Sequence, residues 1–241
     1  MTMTYRERFH ETMRFGHPDR VPYWEMGFWG QTIERWEDEG MPPDQHHIHL
    51  FGFDRRETVP INHGIIPGFR EEIVEENERF VIARRGDGVL SKQDMCYKTA
   101  SIISPKHFRE FMVPRYQRIT ALMRKHGVQV ILVDSDGHVD ELIPLWLEGG
   151  LSGVYPFEVA AGEDVVAVRK QYPRLHIWGG IDKRVLAQDK RAIEAELYAK
   201  VPFMLERGGY IPGIDHAVPH DVSYENWLYY REVLHRICER G

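Results

Sequence analysis

Four short apolar runs, each stopping at polar groups, organise the second half of the chain. They are Val130 to Val133 before Asp134, Leu151 to Phe157 before Glu158, Leu175 to Trp178 before Gly179-Gly180-Ile181-Asp182, and Tyr210-Ile211 before Asp215-His216. Runs of this length and make-up predict parallel strands covered on both faces. Helical spacing fills the intervals, at about 139 to 148, 164 to 172 and 183 to 207. The predicted order is therefore β-α-β-α-β-α-β, with crossovers long enough for parallel pairing and a right-handed connection. A barrel and an open parallel sheet both satisfy that order.

The first half is less regular. Apolar positions from Tyr5 to Phe15 recur at helical spacing and stop at Gly16 and Pro18, predicting a short amphipathic helix. The prolines of Pro18-Asp19-Arg20-Val21-Pro22 confine the next segment, through Trp24 and Gly27, to extended backbone. A second helix is expected over 32 to 39. A β-hairpin is expected where 78 to 84 and Val89-Leu90 flank Arg85-Gly86-Asp87-Gly88. Ser104-Pro105 supplies a cap and a first-turn proline for a helix reaching His126, which Pro114 should kink. An aromatic-rich helix over 223 to 240 closes the chain.

Composition narrows the function classes. A chain of 241 residues, 42% hydrophobic, has material for one large core, so a single domain over 1–241 is expected. Within it, 1–93 carries the hairpin and 94–241 the βα units. The net charge of −6 argues against a nucleic-acid partner, whose binding rests on clustered Lys and Arg. No run of about 18 apolar residues offers a membrane span, and the amino terminus has no apolar leader-like stretch. Cys96 and Cys238 lie far apart with no CxxC pair, which suggests neither a disulfide framework nor a thiolate zinc site. A cytoplasmic protein is the expectation. Nor does any GxGxxG, P-loop or GxSxG motif stand among the turns.

The candidate chemistry lies at the strand ends. In an α/β sheet the loops at the carboxyl ends of the strands gather the functional groups, and here they carry Asp134, Asp136, Glu158, Asp182, Asp215 and His216. Crowded carboxylates repel, so either some hold raised pKa values and act as acid or base, or a cation compensates them. Asp134, Asp136 and His216 form a possible three-ligand set of hard donors for zinc, iron or manganese. A polar substrate-binding or acid-base role without metal, and simple helix capping, are the competing readings. Asp164 and Asp182 are expected as N-caps. Trp24, Tyr155 and Trp178 are candidate walls for a flat or apolar ligand, although such residues are commonly core. Gly208-Gly209 predicts a close approach of backbone to a ligand or a helix. His46-His47-Ile48-His49 lacks carboxylates or cysteines at ligand spacing and is expected to be solvated or at the core edge.

Several longer stretches together resemble the uroporphyrinogen decarboxylase superfamily. They are Arg8-Phe9 through Pro22, Ile103-Ser104-Pro105 through Tyr116, Asp134-Ser135-Asp136-Gly137, Tyr155-Pro156-Phe157-Glu158, Trp178 through Lys183, and Gly208 through Gly213. The resemblance implies a TIM-type (β/α)8 barrel and one of two activities, decarboxylation of a tetrapyrrole or corrinoid-dependent methyl transfer. Against the decarboxylases, Met26-Gly27-Phe28-Trp29-Gly30-Gln31 stands where an arginine-rich turn is implied. Against the methyltransferases, Asp134-x-Asp136 and Asp215-His216 stand where a zinc-binding His-x-Cys and a later Cys are implied. The resemblance also implies a longer chain, with the shortfall near Gln93-Asp94, so the barrel is completed by a second copy, replaced by an open sheet, or incompletely represented by this sequence, and association through the sheet edges is expected.

On the methyltransferase-like reading, Asp134, Asp136 and His216 bind a divalent metal or polarise the leaving oxygen, and Glu158 is the proton donor. Trp24, Tyr155, Trp178 and Asp215 then contact a small methylated substrate, such as a methoxylated aromatic. The acceptor is a corrinoid on a partner protein. The alternatives are a tetrapyrrole decarboxylase and a catalytically inactive barrel remnant serving as a binding or assembly subunit.

Overall fold

The structure, a computed structural model, describes residues 2–43, 47–57, 70–76, 81–84, 90–92 and 104–239. The chain divides into two compact units, one of Met1–Arg55 with Tyr97–Gly241 and one of Arg56–Cys96.

The larger unit opens with α1 (Tyr5–Met13), started by a capping box in which Thr4 accepts from the Glu7 amide and the Glu7 carboxylate accepts from the Thr4 amide. Next come α2 (Gly30–Asp38) and the single turn α3 (His47–Leu50), which takes in part of the histidine cluster. His49 is exposed, and His46 lies outside the described residues.

The smaller unit is an antiparallel sheet of β1 (Glu72–Glu76), β2 (Val81–Arg84) and β3 (Leu90–Lys92), paired in that order. The hairpin of β2 and β3 is the one expected from sequence, while β1 was not foreseen. Its Glu-Ile-Val-Glu-Glu pattern gives no clean alternation, and its register slips between Ile73 and Glu75. The Arg85–Gly88 turn and the junction at Gln93-Asp94 lie outside the described residues.

The larger unit resumes with α4 (Pro105–His107), a π-helical stretch over Phe108–Met112, and α5 (Val113–Lys125). Pro114 has no amide hydrogen to donate and its ring crowds the carbonyl four residues back, so the helix widens just ahead of it. Four parallel strands follow, β4 (Leu132–Ser135), β5 (Gly153–Pro156), β6 (His176–Trp178) and β7 (Tyr210–Ile211), hydrogen-bonded in sequence order. Between them stand α6 (Ile143–Glu148), α7 (Val165–Gln171), α8 (Lys183–Leu186) and α9 (Lys190–Arg207), and α10 (Tyr224–Cys238) closes the unit. The helix expected over 183 to 207 is two helices, because Asp189 caps a new start by accepting from the Ala192 amide. That expected over 139 to 148 begins at Ile143, after a turn.

Alternation along the strands separates two faces. Ile131, Val154, Ile177 and Tyr210 point outward into a cluster with Leu145, Trp146 and Val168 of the covering helices. Val130, Tyr155, Trp178 and Ile211 point inward, joined by Trp24, Met26, Met13 and Phe9 from the amino-terminal segment. That segment docks in parallel beside the β7 end through the Phe28–Val218 bridge. A third cluster packs Trp36, Trp227, Tyr230 and Leu197 between α2, α9 and α10.

Candidate functional site

Register places Asp134 beside Tyr155 and Trp178 beside Ile211, and the Tyr155 and Trp178 rings stack at 4.7 Å. Asp134, Tyr155 and Trp178 thus form one inward-facing row across three strands. Trp24 extends it, meeting Trp178 edge-on at 5.9 Å and stacking on Phe9 at 5.3 Å. The strand runs past Val133 to Ser135, so Asp134 is a strand residue with a fixed direction and not the first residue of a loop. Shielding by its neighbours raises its carboxyl above the ordinary range; a hydrogen bond from Tyr155 opposes this, Asp136 adds to it and His216 opposes it.

One step above the row, the loops after β4 and β7 bring Asp136 and His216 together, with Nε2 to Oδ2 at 3.9 Å. The His216 tautomer follows from its other nitrogen. Nδ1 accepts a hydrogen bond from the Ala217 amide at 2.7 Å, which places the ring proton on Nε2. His216 therefore presents an N–H donor to the site. A metal ligand needs a lone pair at that position, and among the described residues no three His, Cys, Asp or Glu side chains converge on a point that would hold an ion. The set Asp134, Asp136 and His216 comes together as a neighbourhood, but its donors do not fit a metal centre.

Glu158 and Asp215 hold the loops in place. Glu158 Oε2 accepts from the Gly137 amide at 3.1 Å, tying the β5 loop to the β4 loop. Asp215 is fully buried, and its two oxygens accept from the Val159 amide at 2.8 Å and the Lys183 amide at 3.0 Å. Burial pushes its carboxyl up, against the pull of Lys183 and the two amides. The Lys183 ammonium stands 3.5 Å from both Glu158 and Asp215. This cation was missed in the sequence, where it reads only as the first residue of a helix capped by Asp182. Asp182 does cap that helix, and Asp164 caps α7.

Two further carboxylates were also missed. Glu163, its side chain wholly buried, accepts from the Val139 amide at 2.7 Å and lies 3.1 Å from His138 Nδ1. Burial raises its carboxyl to about 7. Glu25, between inward-facing Trp24 and Met26, points the other way and accepts from the Ile214 amide at 3.0 Å and the Tyr230 hydroxyl at 2.8 Å. Period-two alternation through Trp24-Glu25-Met26 was the signal that could have found it. The glycines of Gly208-Gly209 make room for Phe15: a β-carbon on Gly209 would come within 2.4 Å of that ring. The close approach is to the turn after α1.

A four-stranded parallel sheet with acidic and imidazole groups gathered at its carboxyl-end loops defines an α/β protein. The family model of uroporphyrinogen decarboxylase (URO-D) matches residues 80–237, and the chain belongs to that family, whose fold is a TIM barrel. Among curated proteins none matches.

Proposed function

We propose that the protein is an enzyme on the methyltransferase-like side of the family, moving a methyl group from a small methoxylated aromatic to a corrinoid borne by a partner protein. The observation that carries this reading is the geometry of one inward-facing row, in which Asp134 stands beside the stacked Tyr155 and Trp178 rings with the His216 N–H turned to the same site. The corrinoid, when bound, supplies the nucleophile that takes the methyl group. The chain's own work is to hold the ring against Trp24, Tyr155 and Trp178 and to have a proton ready at the departing oxygen. As the methyl–oxygen bond breaks, the electron pair stays on oxygen, Asp134 gives its proton there and is left as carboxylate. The His216 Nε2–H stabilises the same oxygen as charge develops. Glu158, engaged with Gly137 and Lys183, serves the loops and leaves the proton to Asp134.

Decarboxylation of a tetrapyrrole is less well supported. Its substrate carries several carboxylates, and the mouth presents Asp134, Asp136 and Glu158, with Lys183 already between Glu158 and the buried Asp215. The test is phenol release from an aryl methyl ether in the presence of a reduced corrinoid. Wild-type protein is expected to release it, and Asp134→Asn to lose about 10²- to 10⁴-fold in rate, the usual worth of a positioned acid. Carbon dioxide release from uroporphyrinogen without phenol would replace this reading with the decarboxylase. Neither product, with stable capture of a partner, would point to a binding subunit.

A further inference from the structure

At the opposite end of the sheet, where the strands begin, lies a cavity of about 360 Å³ that the chemistry above does not use. His10, Arg14, Phe15, Gln129, Arg174 and His176 are among its walls, and no carboxylate is among its described lining residues. The charge there is one-sided. The Arg174 guanidinium lies 3.9 Å over the Phe15 ring, and among the described residues it has no hydrogen-bonding or ion-pair partner. Among the described residues the Arg14 guanidinium hydrogen-bonds only to the Gln129 side-chain oxygen, at 3.3 Å.

His176 adds an independent sign. Its Nδ1 lies 2.9 Å from the Ser152 carbonyl oxygen and its Nε2 lies 2.8 Å from that of Met13. Carbonyl oxygens only accept, so the ring donates to one of them in either tautomer, and neither of these partners is a carboxylate. On α1 itself Glu11 is turned to the His17 amide and Glu7 to the Thr4 amide, while Arg6 and Arg14 face His10. Shielding, Arg14 and Arg6 together hold the His10 imidazole below its ordinary range, as expected in a positive field.

We propose that this cavity binds a small oxyanion, a phosphate or carboxylate group, clamped by Arg14 and Arg174 above the His176 ring. Two guanidiniums present planar forks suited to such a group, and the aromatic face of Phe15 keeps one of them in position. The bound anion would join the end of α1 to the starts of β4 and β6.

Titration of the whole chain with inorganic phosphate, and separately with acetate, at constant ionic strength tests this by calorimetry and histidine NMR. Saturable binding of either anion is expected, and which one binds more tightly identifies the group. The same titration should raise the His10 pKa, because a bound anion favours the protonated ring. Arg174→Ala and Arg14→Gln should each weaken binding about tenfold or more, near 1.4 kcal/mol, with the His10 shift reduced in step. Asp134→Asn, at the far end of the sheet, should leave the binding unchanged. No saturable binding of either anion, or binding that survives both arginine substitutions, would overturn the proposal. Using two arginine variants, each confirmed folded by circular dichroism, keeps the outcome independent of either one's stability.

Discussion

Single residues at the mouth take their roles from what their other atoms are doing. His216 is a donor because its Nδ1 is already accepting from Ala217, and His138 is poised the other way, with Nδ1 against the buried Glu163. Ring ¹⁵N shifts should therefore report the Nε2–H tautomer for His216 and a proton on Nδ1 for His138. Replacing Glu163→Leu should release His138 to mixed tautomers without altering His216; identical spectra before and after would contradict the assignment. None of these hydrogen bonds was legible from sequence. That Asp134, Asp136 and His216 share one end of the sheet was legible because they follow parallel strands, but whether an imidazole offers a proton or a lone pair depends on a backbone amide one residue away. Lys183 and Glu163 escaped because each reads locally as part of a cap or a helix start, and Glu25 because its partners, the Ile214 amide and the Tyr230 hydroxyl, lie 189 and 205 residues away.

The elements were legible wherever a local pattern was also the tertiary requirement. The four parallel strands share apolar runs that both layers must bury, and Asp164 and Asp182 cap because their side chains reach amides within their own first turn. Breaks in long helices were less legible. Asp189 restarts α9 inside a continuous apolar pattern, and β1 forms only by pairing with β2. Two glycine positions illustrate tertiary control. Gly208 and Gly209, with φ of 67° and 62°, lie against Phe15, itself at φ 61°. Gly209→Ala adds a clash with the Phe15 ring to an unfavourable backbone angle and should cost about 1–3 kcal/mol. Chemical denaturation would measure it, and a loss below a few tenths would show that Phe15 moves aside freely. Ile177→Ala, in the outward cluster, should cost about 2–5 kcal/mol.

For the whole molecule, two buried titrating groups give stability a pH dependence of opposing sign. His235, stacked on Tyr23 at 3.9 Å, is pushed down to about 4 from 6.5, by burial first and then by Arg231 and Arg20. With the folded value below the unfolded one, its contribution is complete above 6.5 and is lost as pH falls toward 4. Glu163 is raised from 4.5 to about 7, by burial first, so its contribution is complete below 4.5 and is lost as pH rises through 7. Thermal melts should then give a broad optimum in mildly acidic solution. His235→Phe should flatten the acid limb and Glu163→Leu the neutral one; unchanged limbs would contradict these assignments. Family membership carries a barrel fold, while the described parallel sheet has four strands and β4 stands at its edge. Among the described residues no strand pairs with the outer side of β4, and we propose that a second copy associates along that edge. Light scattering at micromolar concentration should give more than the monomer mass, and a clean monomer would contradict it.

The reaction itself is most directly tested by following a ¹³C-labelled methyl group. An aryl methyl ether carrying the label on its methoxy carbon, incubated with the protein and reduced corrinoid, should yield label on the corrinoid and unlabelled phenol in equal amounts. Asp134→Asn should slow both together. Label that stays on the ether, under conditions where the folded protein is verified, would contradict methyl transfer as the function of this site.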